Sequence, residues 1–369
     1  MRVLLTGARA PATLELARLC ARSGHEVHVA DTDRWHICRG SRLIAGVHQL
    51  PAPRRVGADT YAAALNRLIA AARIDTIVPT CEEIFHVAAI RGQLDAPAVC
   101  ESQTVLASLH DKAAFPLASE SAGLPAPRTY QLRGARGADV NDLPVGRYVI
   151  KRRFSRFATG VRLWQSGDAL PLTSDEAPDA WLAQERLEGR ALCTWSVAHA
   201  GELRAHVTYA VDATAGAHGA AISFHSEHHA ATRAWVSQFF AYHALTGQFA
   251  FDFIEHDDHL RALECNPRLT SGVHCFRALP GVAARLIDTT RADDRSVLEP
   301  PAGLRFRSRL ALLTYGKPAA PGDGLLDAVD DPWPRRLQSL SWLHLLLRAA
   351  WSRTDPRVLS TADIEWNGE

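Results

Sequence analysis

The stretch RALECNPRLTSG, residues 261–272, sets Glu264 and Asn266 on either side of Cys265 and follows them with Pro267 and Arg268. Strand alternation puts Glu264 and Asn266 on one face and Leu263 and Cys265 on the other. Together with the residues before it, GQFAFDFIEHDDHLRALECNPR reads as a hairpin turning at HDDH. Its first strand carries Phe249, Phe251 and Phe253 on one face and Ala250, Asp252 and Ile254 on the other. A loop of odd length, for example 257–259, sets Asp252 directly across from Glu264, their Cβ atoms about 5 Å apart. Two facing carboxylates repel, and a hard divalent cation relieves that repulsion. Asp252, Glu264 and the Asn266 amide oxygen supply three oxygen ligands and leave the other octahedral positions to water and phosphate oxygens, as Mg²⁺ prefers. Arg268 emerges beside the cation, where its fork can clamp a transferring phosphoryl group or an anionic substrate. An ordinary hairpin with solvated acids explains the phenylalanines but leaves the spacing of the four polar residues to chance.

A metal-bound polyphosphate needs cations from other elements. Of the 41 basic residues only Lys112, Lys151 and Lys317 are lysine, so arginine has taken nearly every generic surface role. A retained lysine marks a place that wants a compact point charge on a flexible stem. Lys151 ends a strand just before RRFSRFATG, whose Ser155, Thr159 and Gly160 offer hydroxyl and backbone donors to phosphates. Lys112 comes from a separate segment, read as a helix over TVLASLHDKAAFPLASES.

The elements that must position these groups fall into three textures. RVLLTG, HEVHVADTD and DTIVPT read as buried strands alternating with helices over PATLELARLCARSG and YAAALNRLIAAARI, which predicts a parallel α/β sheet. GARAPA after the first strand suggests a dinucleotide turn with Asp31 or Asp33 as the ribose acid. It has only the first of the three glycines, however, and Arg9 and Pro11 crowd the backbone, so a plain tight turn is preferred. A mixed sheet takes over near residues 102–105, with a turn at Glu188–Gly189 and a hairpin at HAGE. From 301 the chain is Arg-rich and Pro-punctuated, and RRLQSLSWLHLLLRAAW (335–351) is an apolar helix too short to cross a bilayer. The closing STADIEWNGE is acidic and aromatic and fits no motif.

Composition excludes several classes. Forty-one basic against 40 acidic residues provide no global attraction to nucleic acid or anionic lipid. The apolar run at the start is too short for a signal or an anchor, and seven scattered cysteines form neither a disulfide framework nor a zinc spacing. A cytoplasmic protein with small-molecule partners is expected, without nucleic acid or membrane, with the apolar C-terminal helix packing against the body or against a second subunit of a homodimer.

In order and approximate spacing, LHDKAAF, YVIKRRFSRFATG, AQERLEG, FAFDFIE and LECNPRLTSG resemble the ATP-grasp superfamily. The branch is that of carboxylate-amine ligases, with the large subunit of carbamoyl-phosphate synthetase and biotin carboxylase. The resemblance implies a mixture of α/β and α+β architecture. Residues 1–104 form a parallel-sheet pre-ATP-grasp domain, 105–290 an ATP-grasp domain with a lid over about 145–187 and a mixed-sheet subdomain, and 291–369 a C-terminal extension. It implies ATP with Mg²⁺ or Mn²⁺, phosphate contacts from Lys112 and Lys151, metal ligation by Asp252, Glu264 and Asn266, and catalysis by Arg268 with Lys151. Gln184, the Glu185 carbonyl and the Leu187 amide then read the adenine edge. The activity implied is phosphorylation of a carboxylate, or a similarly acidic oxygen, and its coupling to an amine with release of ADP and phosphate. A kinase or thiol ligase on the same site, and a catalytically silent nucleotide-binding protein, are the alternatives.

The chain departs from the family at Ala191, where a ribose-binding Glu is usual, and at Lys-Arg in place of Lys-Pro. Its phosphate loop is bulky, with Phe154, Arg156 and Phe157, which suggests a stiffer lid or an arginine donating to phosphate. Candidate substrate residues are Glu82 and Glu83 past a parallel strand's end, Ser271, the Gly272 amide and His274 after Arg268, and His228 in SFHSEHHA. That last cluster is read as a polar rim in preference to a zinc site.

Overall fold

A computed structural model describes residues 1–132, 143–156, 160–173, 176, 180–216, 219–257, 259–288, 296–318 and 321–368. The first unit runs β1 (Arg2–Thr6), α1 (Pro11–Arg22), β2 (Glu26–Asp31), β3 (Gly46–Gln49), α2 (Pro53–Val56), α3 (Ala58–Ala72), β4 (Thr76–Val78) and α4 (Ile84–Ile90). The strands form a parallel sheet in the order β3-β2-β1-β4. Alternation decides its two faces. Leu4, Ala30 and Ile77 pack on Tyr61, Leu65 and Ile69 of α3. Val3, Leu5 and Val29 pack on the other side with Leu16 and Leu19 of α1. Burial on both faces makes these strands continuous apolar runs in the sequence. β3 lacks that signal because it is an edge strand of only partial burial.

Where β1 ends, Gly7 turns with φ +72°, and a Cβ there would meet Glu83 oxygens and the Cys81 Cβ within 3 Å. This tight approach, not a pyrophosphate, accounts for the glycine. Arg9 then pairs with Asp31 at 2.5 Å, which uses the carboxylate that a dinucleotide reading assigns to a ribose.

Helix α1 also carries charge into the interior. Fully buried Glu15 accepts from Arg277 Nη2 at 2.7 Å and lies 2.9 Å from His274 Nδ1, while buried Arg18 meets Asp331 at 2.9 Å. Burial opposes ionisation of Glu15, but His274 and Arg277 outweigh it and hold its pKa down at about 2. A carboxyl whose pKa is lowered by folding stabilises above its ordinary value and loses that contribution as pH falls through the folded one. Glu15→Gln is therefore expected to cost about 3 kcal/mol at neutral pH. The difference from the native chain should shrink between about pH 4.5 and 2, as read by denaturant titration at several pH values. A difference independent of pH refutes the assignment.

The second part opens with α5 (Gln103–His110) and α6 (Phe115–Ser121). The single helix expected around Lys112 is thus two, with Lys112 in the turn between. Asp111 breaks the run: its Oδ1 accepts from Ala113 N at 2.9 Å and its carbonyl starts α6 through Phe115 N. Next comes a small antiparallel sheet of β5 (Thr129–Gln131), β6 (Arg147–Arg152), β7 (Arg162–Gln165) and β8 (Trp181–Glu185), ordered β5-β8-β6-β7. Tyr148, Ile150, Trp164, Trp181 and Ala183 fill its covered face.

A larger sheet follows from β9 (Arg190–His199), β10 (Glu202–Thr214), β11 (Ala221–Glu227), β12 (Gly247–His256), β13 (His259–Asn266), β14 (Arg305–Arg307) and β15 (Asp323–Gly324). Its order is β13-β12-β9-β10-β11-β14-β15, antiparallel except for the last pair. Helix α7 (Ala230–His243) covers one face, with Trp235, Phe239 and Phe240 against Phe249, Phe251 and Phe253. Each buried ring contributes about 2–3 kcal/mol. The chain then adds α8 (Gly281–Ile287), α9 (Arg309–Thr314), α10 (Trp333–Ser352) and α11 (Pro356–Leu359). Among the described residues no helix is long and apolar enough to cross a membrane.

Candidate active site

The β12–β13 hairpin sets Asp252 opposite Glu264 and Ala250 opposite Asn266. The means differ from the sequence expectation. His256 pairs with His259 across a two-residue turn, an even count, and the register shifts by one between Asp252 and Phe253, leaving Leu263 as the extra residue of a bulge. Without that bulge a two-residue turn would set Leu263, not Glu264, across from Asp252. On its other side Asp252 pairs with Cys193 of β9, so the acids stand on the sheet face opposite α7.

The electrostatics follow from burial and crowding. Burial, then the neighbouring Glu264 charge, pushes Asp252 well above the usual carboxylate range. Burial opposes the charge on Glu264 too, but Lys112 and Lys151 outweigh it and hold Glu264 low. Lys112 Nζ lies 3.3 Å from Glu264 Oε2 and donates to the Ser155 carbonyl at 3.0 Å, which ties the turn, the sheet acid and the loop together. Lys151 is buried and pulled down to about 8, with Glu264 as the main influence keeping it charged. Asn266 Nδ2 donates to Asp252 Oδ2 at 3.3 Å. Two carboxylates, one amide and two ammonium groups thus converge from β12, β13, β6 and the α5–α6 turn. The donor set is of hard oxygens, which fits Mg²⁺ or Mn²⁺. Among the described residues no three His, Cys, Asp or Glu side chains gather at one place, and this site too offers two carboxylates and an amide.

In β6 and β8, Lys151 pairs with Leu182 and Val149 with Gln184. Cross-strand partners share a face, so Gln184 faces the same way as Lys151, away from the small sheet's own core. Gln184 donates to Thr129 Oγ1 at 3.0 Å, and Glu185 pairs with Arg128 at 3.2 Å. Leu187 lies in the link to β9, where Gly189, at φ +153°, passes so close to the Glu255 carbonyl that a Cβ would come within 2.2 Å. Gly160, at φ +80°, lies against Trp181. Thr159 lies outside the described residues.

Most of the candidate substrate residues have partners within the protein. Glu82 is buried between Arg156, at 2.5 Å, and Arg268, at 2.7 Å. Burial opposes its charge, but the two guanidinium groups hold its pKa far below the usual range, so it anchors both arginines. Glu83 accepts from Thr6 Oγ1 and from the Thr80 and Cys81 amides, stitching β1 to the loop after β4. Gly272 is buried, and a Cβ there would come within 2.6 Å of Trp195 Cβ, which makes it a packing residue beside half-buried Ser271. His274 belongs to the Glu15 network. His228 is exposed, and its neighbours disperse: His225 to Asp212, Glu227 to Arg190, and His229 to Glu255 and the N-terminus of α7.

Two residues beside Arg268 are not among the sequence candidates for this place. Arg156, from the segment that follows β6, meets Glu82 across the molecule. His110 is buried next to Lys112 with neither ring nitrogen hydrogen-bonded among the described residues; burial holds its pKa down at about 3, and its ring lies 5.0 Å from Phe85. Only the SLHDK stretch hinted at it, through proximity to the lysine.

No family model matches the sequence, and no curated protein is significantly similar to it. Solved structures do match. N5-carboxyaminoimidazole synthetase from Staphylococcus aureus, complexed with ADP, superposes with a TM-score of 0.63 at 12% identity, over 82% of this chain and 80% of that one. The biotin carboxylase domain of the Hydrogenobacter thermophilus 2-oxoglutarate carboxylase, in complex with MgADP, ADP and bicarbonate, gives 0.60 at 13% over 80% and 71%. L-amino acid ligase from Bacillus licheniformis gives 0.58 at 12% over 78% and 70%. At such identities the likeness is one of fold, and the chain has the ATP-grasp fold that its motifs resemble.

Proposed function

We propose that the chain is an ATP-dependent carbon-nitrogen ligase that phosphorylates a substrate carboxylate, or a similarly acidic oxygen, and couples it to an amine with release of ADP and phosphate. The observation that carries the proposal is the convergence of Asp252, Glu264 and Asn266 with Lys112 and Lys151. In this reading residues 105–290 bind the nucleotide, the small sheet over about 145–187 is the lid, 1–104 precede it, and 291–369 extend it.

Asp252, Glu264 and Asn266 would hold Mg²⁺, which when bound neutralises phosphate charge. Lys112 and Lys151 bind phosphate oxygens, with Ser155 and Gly160 in the loop above them. Gln184, the Glu185 carbonyl and the Leu187 amide take the adenine. Arg268, 3.4 Å from Asn266 Oδ1, is placed to steady the phosphoryl group and the activated acid. Most of the chemistry is positioning and charge neutralisation, as phosphoryl transfer demands. We place this activity in the cytosol, on small-molecule acids and amines. The exposed stripe of Leu340, Leu343, Leu347 and Trp351 on α10 is the face offered to a second copy. Light scattering that finds only monomer at high concentration removes the homodimer.

The test is a thermal shift with MgATP, followed by a screen of acids and amines for Mg²⁺-dependent release of ADP and phosphate. The nucleotide is expected to raise the melting temperature only when the metal is present. ADP formed with a phosphorylated product instead of free phosphate reassigns the chain as a kinase. Full biological activity in Asn266→Ala makes it a silent nucleotide binder.

A further inference from the structure

The segment STADIEWNGE, which matches no motif, is tied down at both sides of the site. Arg9, just past β1, donates to the Ser360 carbonyl and to Asp363 Oδ1, each at 2.8 Å, and Thr32, just past β2, bonds Asp363 as well. Arg54 meets Glu365 at 3.1 Å. These anchors stand at the carboxyl ends of the parallel strands, where open α/β sheets receive ligands. From there the segment reaches the phosphate loop. Arg156 donates to Asn367 Oδ1 at 2.8 Å and to the Trp366 carbonyl, and it pairs with Glu365 at 3.4 Å. The Trp366 indole stacks on Phe85 at 5.2 Å and 19° and takes Phe154 edge-on at 5.2 Å. Trp366 and Ile364 are buried.

We infer that residues 360–367 are a positioning element of the nucleotide site, holding Arg156, and through it the loop that bears Ser155, in its phosphate-binding geometry against Glu82. The inference rests on the nucleotide reading given above. Physically, Arg156 is the only loop side chain that spans to both Glu82 and the segment among the described residues, and Ser155 next to it is the residue whose carbonyl receives Lys112. A loop ordered beforehand does not charge the cost of its ordering to the ligand. Without the segment, phosphates must order the loop themselves, and affinity falls for ligands that carry phosphates but not for those that lack them.

The test uses the whole chain with Trp366→Ala, Asn367→Ala and the conservative Trp366→Phe, each checked for cooperative melting. Binding of MgATP and, by competition, of adenosine is measured. Both disruptive variants are expected to lose about tenfold or more in MgATP affinity with adenosine unchanged, and Trp366→Phe to restore most of it. Equal loss for both ligands, no loss, or a gain for MgATP overturns the positioning role. A native chain that binds neither ligand overturns the nucleotide reading itself, and this inference with it.

Discussion

Glu264→Gln is expected to lower Mg²⁺-dependent ADP release by about three orders of magnitude while leaving the protein folded. The substitution keeps the volume and removes one of the two facing charges. Lys112 then loses its partner at 3.3 Å, and Lys151, already pulled down by burial, loses the main influence that keeps it protonated. Folding survives because Asp252 compensates. Its pKa stands high partly because Glu264 is ionised beside it, so neutralising Glu264 lets Asp252 ionise and face the same lysines. What it cannot replace is the second carboxylate of the proposed metal site. Steady-state release of ADP and a melting curve in the same buffer check both halves, and a variant keeping a tenth or more of the native rate removes Glu264 from the metal.

Arg268→Lys is expected to separate turnover from binding. In this structure the Arg268 Nε donates to Glu82 at 2.7 Å, and the far end of its guanidinium lies 3.4 Å from Asn266 Oδ1. The group is therefore fixed at one end and directed at Asn266, a proposed metal ligand, at the other. A lysine can keep the pair with Glu82 but cannot present a second donor in the same plane. We expect kcat to fall about 10²- to 10³-fold, roughly 3–4 kcal/mol of transition-state stabilisation, with MgATP affinity within about twofold of native. A loss confined to nucleotide affinity with kcat intact would assign Arg268 to ground-state binding instead. Glu82 keeps Arg156 in this variant, so its buried charge is never left unpaired.

How the site became readable differs from residue to residue. The scarcity of lysine drew attention to Lys112 and Lys151 because in this arginine-rich chain a lysine is informative. The acids were legible through strand alternation, yet the facing of Asp252 and Glu264 depends on a bulge at Leu263 that no residue type announces. Glu82 and Glu83 look alike in CEE at the end of β4. One is buried between two arginines brought from 74 and 186 positions away, the other among the hydroxyl and amides of β1 and its own loop, and spacing along the chain carries no record of either.

The same division runs through the fold. Short-range pattern alone determined the strands β1, β2 and β4 of the parallel sheet, the phenylalanine face of β12 and the local order of the proposed phosphate and metal motifs, because alternation and turn chemistry act over a few residues. Tertiary structure alone decided which charges neutralise which and that STADIEWNGE reaches Arg156. Those outcomes rest on burial and on contacts between segments up to 354 residues apart, as with Arg9 and Asp363, where desolvation makes an unpaired charge too costly to leave and so selects the partner.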